Sequence, residues 1–284
     1  MPKAKKRKAP IASTSAHSSS IAAHSCRNTI RKYHVLLKRR QQLAAGSQNA
    51  AETTTLAEIE AEIEKLGGLE KYQELSVLGQ REERGGGSEK IFIDWMKELE
   101  LHKIPSGQNK IKLLEVGALK HDNYKQSSSW IDCTPMDLHS RHPQIIEQDF
   151  LTLDLAKNEK KWEAISLSLV VNFVPSTDDR GRMLELARRC LVPNGLLYLA
   201  LPLPCVANSR YMTFDHLKLF MEFLGFTEIR ERWRKNGKMG YWLYRKTDIP
   251  PNQPSDKFKK KAVLRTGNRN NFAITLPRRT PAGS

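Results

Sequence analysis

The run Ile111-Lys112-Leu113-Leu114-Glu115-Val116-Gly117-Ala118 decides how the rest of the chain is read. It is a short apolar segment closing on a carboxylate and then a glycine, the pattern of a buried strand that ends in a sharp turn. Glycine at such a turn lets the polar end of a ligand approach the backbone, and ligands of open parallel α/β sheets lie beyond the carboxyl ends of the strands. Asp137 closes a second hydrophobic segment about 20 residues further on, the spacing at which a carboxylate meets ribose hydroxyls. A dinucleotide-binding strand would continue as Gly-x-Gly-x-x-Gly to hold a pyrophosphate. A single glycine stands here, which points to a ligand with a ribose and no pyrophosphate. S-adenosylmethionine fits that description. A plain core strand with a structural turn is the competing reading.

Upstream of this strand, Ser88 is expected to cap a helix running to Leu101, with Ile91, Phe92, Trp95, Met96 and Leu99 on its apolar face. Trp95 reads most simply as a core anchor. Downstream, Trp130-Ile131-Asp132-Cys133 opens a second strand that closes at Asp137, and Ile145 to Phe150 forms a third with Asp149 near its end. That carboxylate can accept from the exocyclic amine of an adenosine, or simply cap a helix. The fourth strand, Ala164 to Val171, ends in Asn172-Phe173-Val174-Pro175. A helix over Asp178–Cys190 follows, then a turn at Pro193-Asn194-Gly195 and a fifth strand, Leu196 to Leu201. Thr213 to Leu224 reads as a helix stopped by Gly225. Thr227–Trp233 and Met239–Arg245 form a hairpin around Asn236-Gly237. Five strands joined by crossovers, then an antiparallel hairpin, is the plan of a class I S-adenosylmethionine-dependent methyltransferase: a Rossmann-like α/β domain over residues 85–246.

The net charge of +16 on 284 residues is unevenly spread. Residues 1–50 carry eleven Lys/Arg and no Asp/Glu, and residues 247–284 carry eight and two, so the body between nets −1 from 28 basic and 29 acidic residues. A near-neutral body with basic ends suits a polyanion, nucleic acid above all, although basic tails can also be solubilising or targeting segments. Residues 1–25 are expected to be a disordered arm, opened by the nuclear-localisation-like cluster Pro2-Lys3-Ala4-Lys5-Lys6-Arg7-Lys8. Residues 26–84 form a small helical region: a helix over Cys26–Leu43, a capping box at Thr55-x-x-Glu58 leading Leu56, Ile59, Ile63 and Leu66 to a Gly67-Gly68 stop, and a helix over Leu69–Leu78. Arg84-Gly85-Gly86-Gly87 is a joint, and residues 247–284 read as a largely disordered tail. The four cysteines are far apart and show no metal or disulfide spacing. No run is long and apolar enough for a membrane span.

Three blocks are familiar: Leu114 to Lys120, Ser166 to Pro175, and Leu201 to Tyr211, with Arg180-Gly181-Arg182-Met183-Leu184 as a helix start. Over about residues 85 to 246 the chain resembles the fungal large-subunit (25S) ribosomal RNA adenine-N1 methyltransferases. The resemblance implies a nucleolar enzyme that methylates one adenine of large-subunit rRNA during ribosome biogenesis, with that rRNA or a pre-ribosomal particle as partner. It implies cofactor-binding roles at Gly117 and Asp137, and the expected cofactor set is completed by Glu115, Asp149 and Phe150. The second strand departs from the family, which has a shorter Arg-Ile-Asp-Leu pattern, so Asp132 competes with Asp137 for the ribose. Asp137 is preferred because Asp137-Leu138 stands directly before a His-Ser loop. The family also includes animal relatives that look like cofactor sensors, so a catalytically silent S-adenosylmethionine-binding regulator is the alternative.

Adenine N1 carries an in-plane lone pair and attacks a sulfonium methyl without first losing a proton, so alignment matters more than a strong base. N1 lies on the pairing edge, which requires an unpaired or flipped base. Asn172 is the candidate to bond that edge, Phe173 to stack on the ring and Pro175 to stiffen the loop; a turn cap and a core plug are the plainer roles. On the opposite wall Arg210 is a candidate phosphate contact, Tyr211 a stacking or hydrogen-bonding group and Asn208 a further RNA contact, unless they tie the loop down. Exocyclic amine methylation would place an aromatic at Pro175. Cytosine C5 methylation needs a cysteine nucleophile, and Cys205 follows the fifth strand instead of the fourth, so it reads as buried. A monomer is expected, and removal of both basic ends is expected to weaken RNA binding while sparing cofactor affinity.

Overall fold

The computed structural model describes residues 50–79, 87–103, 109–140, 142–247 and 256–277, and individual residues between 29 and 43. The expected arm over 1–25 and the segment Arg84-Gly85-Gly86 lie outside the described residues. The chain divides into two compact units, Met1–Leu78 and Gly79–Ser284.

In the first unit the described residues between 29 and 43 are helical, followed by α1 (Ala50–Lys65) and α2 (Gly68–Gly79). Ile59 and Ile63, one turn apart, are buried with Tyr33 and Leu36. Gly67 and Gly68 both take positive φ, 88° and 62°, which breaks the chain between the helices as expected. Thr55 does not stand at a helix N-terminus, against expectation. Helix α1 already starts at Ala50, so Thr55 lies inside it, where no orphan amides await a cap.

The second unit is built on β1 (Ile111–Val116), β2 (Ile131–Asp137), β3 (Ile146–Glu147), β4 (Trp162–Ser168), β5 (Leu191–Pro202), β6 (Phe226–Trp233) and β7 (Met239–Lys246). Their order is β3-β2-β1-β4-β5-β7-β6, with β7 antiparallel to both β5 and β6 and the remaining pairs parallel. This is the class I methyltransferase sheet. The order reverses between β1 and β4, and a ligand crevice opens at such a switch point. The strands are apolar on both faces, as parallel strands between helices must be. Leu114, Val116, Ile165, Leu167, Leu197 and Leu199 share a core with α5 (Thr177–Cys190) and α7 (Phe214–Phe223), after the short α4 (Leu155–Asn158) and α6 (Pro204–Ala207) are placed. Leu113, Ala164, Leu196, Tyr198 and Ala200 face the other way, under α3 (Glu89–Glu98). There Phe92 stacks on Tyr198 at 4.7 Å and Trp95 meets the same ring edge-on at 6.0 Å. Trp95 is a core anchor.

Several boundaries differ from expectation for local reasons. The third strand is two residues long, because the Asp149 side chain accepts from the Leu151 amide at 2.8 Å and starts a 3₁₀ turn at Phe150. β4 stops at Ser168, where Leu169 adopts a φ of 58°. Ser88 is helical in conformation and makes no side-chain cap; its hydroxyl lies 2.5 Å from that of Ser168.

The C-terminal region is the largest correction. Residues 256–277 are not a disordered tail; they form a strap packed on the sheet domain. Phe258, Phe272, Ala273 and Ile274 are buried, and Phe258 meets Phe220 and Phe223 at 5.2 and 5.1 Å. Burying a large apolar side chain contributes roughly 1.5–3 kcal/mol, so the three large ones anchor the strap while its hydrogen bonds to the domain add to the offset of the ordering cost. Lys260 and Lys261 stay exposed, so the basic composition that suggested disorder belongs to the strap's outer side. No helix among the described residues is long and apolar enough to cross a membrane.

Candidate active site

The carboxyl edge of the sheet begins with the turn after β1. Gly117 has a φ of 80°, and its amide and that of Ala118 both donate to the Met136 carbonyl at 2.8 and 3.0 Å. A β-carbon at Gly117 would lie 2.6 Å from Val170 Cγ2. Glycine is therefore required twice, by the left-handed backbone and by the segment that leads to Asn172.

Asp137 is the last residue of β2, at the same edge. Its Oδ1 accepts the His139 amide at 2.9 Å. Partial burial pushes its carboxyl up, the His139 amide opposes that, and Glu147, opposite in register on β3, adds to it. Asp132 is the second residue of β2, exposed and paired in register with Lys112, at the far end of the strand. The geometry thus brings Asp137 beside the Gly117 turn and leaves Asp132 away from it. Asp149 sits partly buried beyond β3 with one oxygen on the Leu151 amide. Phe150 is 2% exposed in the core with Val116 and Met136, so it offers a ligand almost no surface, against expectation.

Glu115 turns into the face beneath α3. Asn123 Nδ2 donates to its Oε1 at 2.7 Å, and Cys133 Sγ lies 3.9 Å from Oε2. Burial pushes the Glu115 carboxyl up to about 8 and the charge of Glu89 adds to that, while Asn123 and Cys133 pull the other way. At neutral pH it is mainly protonated. The expected cofactor ligand is therefore a neutral hydrogen-bonding group held from below the edge.

Beyond β4, Asn172 lies in a turn with its Oδ1 buried and, among the described residues, without a hydrogen-bond partner. Phe173 is 38% exposed, so it is not a core plug. Pro175 is held through its carbonyl: Arg180 on α5 donates Nε to Val174 O at 2.7 Å, a second nitrogen to Pro175 O at 3.4 Å and a third to Ala273 O at 2.7 Å. On the opposite wall Arg265 of the strap donates to the carbonyls of Val206, Ala207, Ser209 and Met212. Asn208 is exposed, with its Oδ1 accepting from Arg269 at 3.2 Å. Among the described residues, the Arg210 guanidinium has long contacts alone, 3.4 Å each, to Asn271 Oδ1 and Gly267 O. The Tyr211 amide donates to Ser209 Oγ at 3.0 Å, and its ring is partly exposed. Asn208 thus ties the loop to the strap, while Arg210 is loosely held. Cys205 is partly buried against the core.

Four residues of this site were given no site role from the sequence: Asn123, Arg265, and Arg180 and Gly181, which were read only as a helix start. The signal for two of them was present in Arg180-Gly181, inside the first turns of an amphipathic helix, where glycine disfavours the helix and arginine disfavours the core.

Compared with known proteins, residues 57–274 match the model of the family Bmt2, described as 25S rRNA (adenine(2142)-N(1))-methyltransferase. The chain belongs to this family. The Bmt2 match runs from α1 to Ile274 and so takes in most of the strap, beyond the 85–246 span of the resemblance seen in the sequence. A Schizosaccharomyces pombe protein named 25S rRNA adenine-N(1) methyltransferase is 36% identical over 251 residues, covering 86% of this chain and 89% of that protein. A Saccharomyces cerevisiae protein named 25S rRNA (adenine(2142)-N(1))-methyltransferase is 34% identical over 247 residues, covering 86% of this chain and 71% of that protein. A solved 1,6-didemethyltoxoflavin-N1-methyltransferase from Burkholderia thailandensis, with S-adenosylhomocysteine bound, is 14% identical with a TM-score of 0.42 over 54% of this chain and 75% of that one. Among the described residues of this Bmt2 member no group of three His, Cys, Asp or Glu side chains is placed to hold a metal ion.

Proposed function

We propose that this Bmt2-family chain transfers the methyl group of S-adenosylmethionine to N1 of an adenine in large-subunit ribosomal RNA, the adenine in the family's description being the expected target. The observation that carries the chemical reading is the buried Oδ1 of Asn172, which has no hydrogen-bond partner among the described residues. A buried amide oxygen left unpaired costs roughly 1–3 kcal/mol. Adenine supplies the missing donor: its exocyclic amine stands next to N1 on the pairing edge. The exposed ring of Phe173, one residue on, supports stacking on the same base, which is worth roughly 1–3 kcal/mol.

The residues at the β1 and β2 ends fit the cofactor. The side-chain-free turn at Gly117 would take its polar end, and Asp137 would accept from its ribose hydroxyls. When bound it supplies an electrophilic methyl group on a sulfonium sulfur. As the adenine N1 lone pair forms the new N–C bond, the S–C bond breaks and its electron pair stays on sulfur. The base becomes the cation, so no protein base is needed. Asn172 and Phe173 orient the ring, and the loops around them exclude water. N1 is reachable only on an unpaired adenine.

The rRNA substrate and the Pro2–Lys8 cluster support nucleolar residence as part of the proposal, in which the Lys/Arg-rich N-terminal arm supplies phosphate contacts. A monomer is proposed, to be checked by light scattering. The deciding experiment is transfer of labelled methyl to unmodified large-subunit rRNA and to pre-ribosomal particles, with nucleoside analysis. N1-methyladenosine that is lost in Asn172→Ala is the expected result. Tight cofactor binding with neither substrate labelled would overturn the proposal in favour of the silent regulator.

A further inference from the structure

Two arginines at the carboxyl edge bind main-chain carbonyls in place of carboxylates. Arg180 is 3% exposed and, among the described residues, has no ion-pair partner. Its bonds join the loop after β4 to Ala273 of the strap, and its guanidinium lies 4.6 Å from the Phe272 ring centre. Burial lowers its pKa to about 10, so it stays a cation at neutral pH. A buried cation is costly to place unless its donors are satisfied. The apolar part of the buried face of α5 comes from Met183, Leu184 and Ala187. Arg265 repeats the device on the opposite wall, reaching four carbonyls at 2.5–2.9 Å. The strap is also keyed to α5 directly. The Thr275 amide donates to Thr177 O at 3.0 Å and its hydroxyl meets the Asp178 carboxylate. A β-carbon at Gly181 would run into the Thr275 carbonyl. Ser209 Oγ donates to Phe272 O at 2.5 Å, and Asn270 bonds both Pro204 and Asn208.

We infer that residues 256–277, with Arg180, form a brace that positions the target adenine: one segment fastens both loops of the base pocket and sets the gap between them. The loops are those carrying Asn172–Pro175 and Asn208–Tyr211. Arg180 and Arg265 are positioning residues, acting through the loops they hold. The role rests on the adenine-N1 reading of that pocket. In-line transfer is sensitive to placement, and an error of about 1 Å can cost about a hundredfold in rate. The brace makes no bond to Gly117 or Asp137 among the described residues, so it bears on the base and leaves the cofactor edge alone.

The test uses full-length Arg180→Ala, Arg180→Lys and Arg265→Ala. It compares kcat and KM on rRNA, S-adenosylmethionine affinity by calorimetry, and amide hydrogen exchange. In Arg180→Ala kcat is expected to fall about a hundredfold, with KM and cofactor affinity within about threefold of the parent. Lysine, reaching one carbonyl, should recover part of kcat. Amides of residues 172–176 should exchange faster while those of β1 and β2 do not. Should Arg180→Ala fail to fold, the more exposed Arg265→Ala carries the test through amides 206–212 and kcat. A folded variant with kcat within about twofold of the parent, or cofactor affinity falling in step with kcat, would overturn the brace. If the parent binds cofactor but methylates no adenine, the functional reading fails separately. The exchange data still decide the brace, because unchanged loop protection refutes it.

Discussion

Replacing Glu115 by Gln tests whether a neutral carboxyl lies under the active-site edge. Burial raises this carboxyl from the usual 4.5 to about 8, with Glu89 adding to the effect. The sign is fixed by that direction. Below pH 4.5 the acid is protonated in both folded and unfolded chains, so its folded-state cost is absent. As pH rises the unfolded carboxyl ionises first, and stability declines until the folded one ionises near pH 8. The gap of about 3.5 pH units corresponds to about 5 kcal/mol in all, of which about 3 kcal/mol falls between about pH 6 and pH 9. Gln keeps the acceptor for Asn123 Nδ2 and cannot ionise. Cys133, the other neighbour, is pushed far up by burial and stays a thiol throughout. Urea unfolding followed by tryptophan fluorescence, at steps from about pH 6 to pH 9, should show the parent losing about 3 kcal/mol more than the variant, or roughly 10 °C in melting temperature for a domain of this size. Parallel curves for the two proteins would refute a neutral Glu115.

Gly117→Ala should lose cofactor affinity and rate together, since the β-carbon meets Val170 and a left-handed residue other than glycine costs roughly 1–2 kcal/mol; calorimetry showing unchanged affinity would move the cofactor site away from this turn. Asp137→Asn should weaken S-adenosylmethionine binding about tenfold, because a charged hydrogen bond to the ribose is removed, while Asp132→Asn leaves it unchanged. The reverse order would assign the ribose to Asp132. Deleting residues 1–28, which carry six Lys/Arg, should flatten the salt dependence of rRNA binding by about 0.7–0.9 for each phosphate the arm neutralises, and spare cofactor affinity. A salt slope equal to that of the full chain would show that the arm does not touch RNA. The cut stops at 28 because Tyr33 and Leu36 are buried against Ile59 and Ile63.

Apart from the two-residue β3, the sheet was legible because its strands carry their own signals. The apolar run along Leu196 to Leu201, the carboxylates closing β1 and β2, and Asn236-Gly237 at the hairpin are local properties that tertiary structure did not have to supply. The candidate site was legible as far as it hangs on strand ends: Gly117, Asp137 and Asn172 lie together at the carboxyl edge. Where a residue's role depends on a partner far along the chain, the reading failed. The neighbours of Ser88 make it read as a cap, yet its hydroxyl goes to Ser168, 80 positions away. Glu115 could be placed on β1 but not given its charge state, which is set by burial with Asn123 and Cys133.

The strap was the least legible element, and its case shows why composition misleads. Residues 256–277 carry six Lys/Arg against one acidic residue, the makeup of a solvated tail. Segments stay disordered when they cannot bury enough apolar surface, but this one borrows its core from elsewhere, through Phe258 against α7 and Phe272 against Arg180. Its polar groups are likewise satisfied by carbonyls of the 204–212 loop, which no local pattern announces. The two basic ends of the chain are therefore not equivalent. Removing both at once, the test the sequence suggested for RNA attachment, would also strip the fastening of both base-pocket loops. A fall in methyl transfer after that deletion would say nothing about phosphate contacts. Only the separate experiments, salt dependence for the N-terminal arm and loop exchange for the strap, distinguish attachment to RNA from alignment of the base.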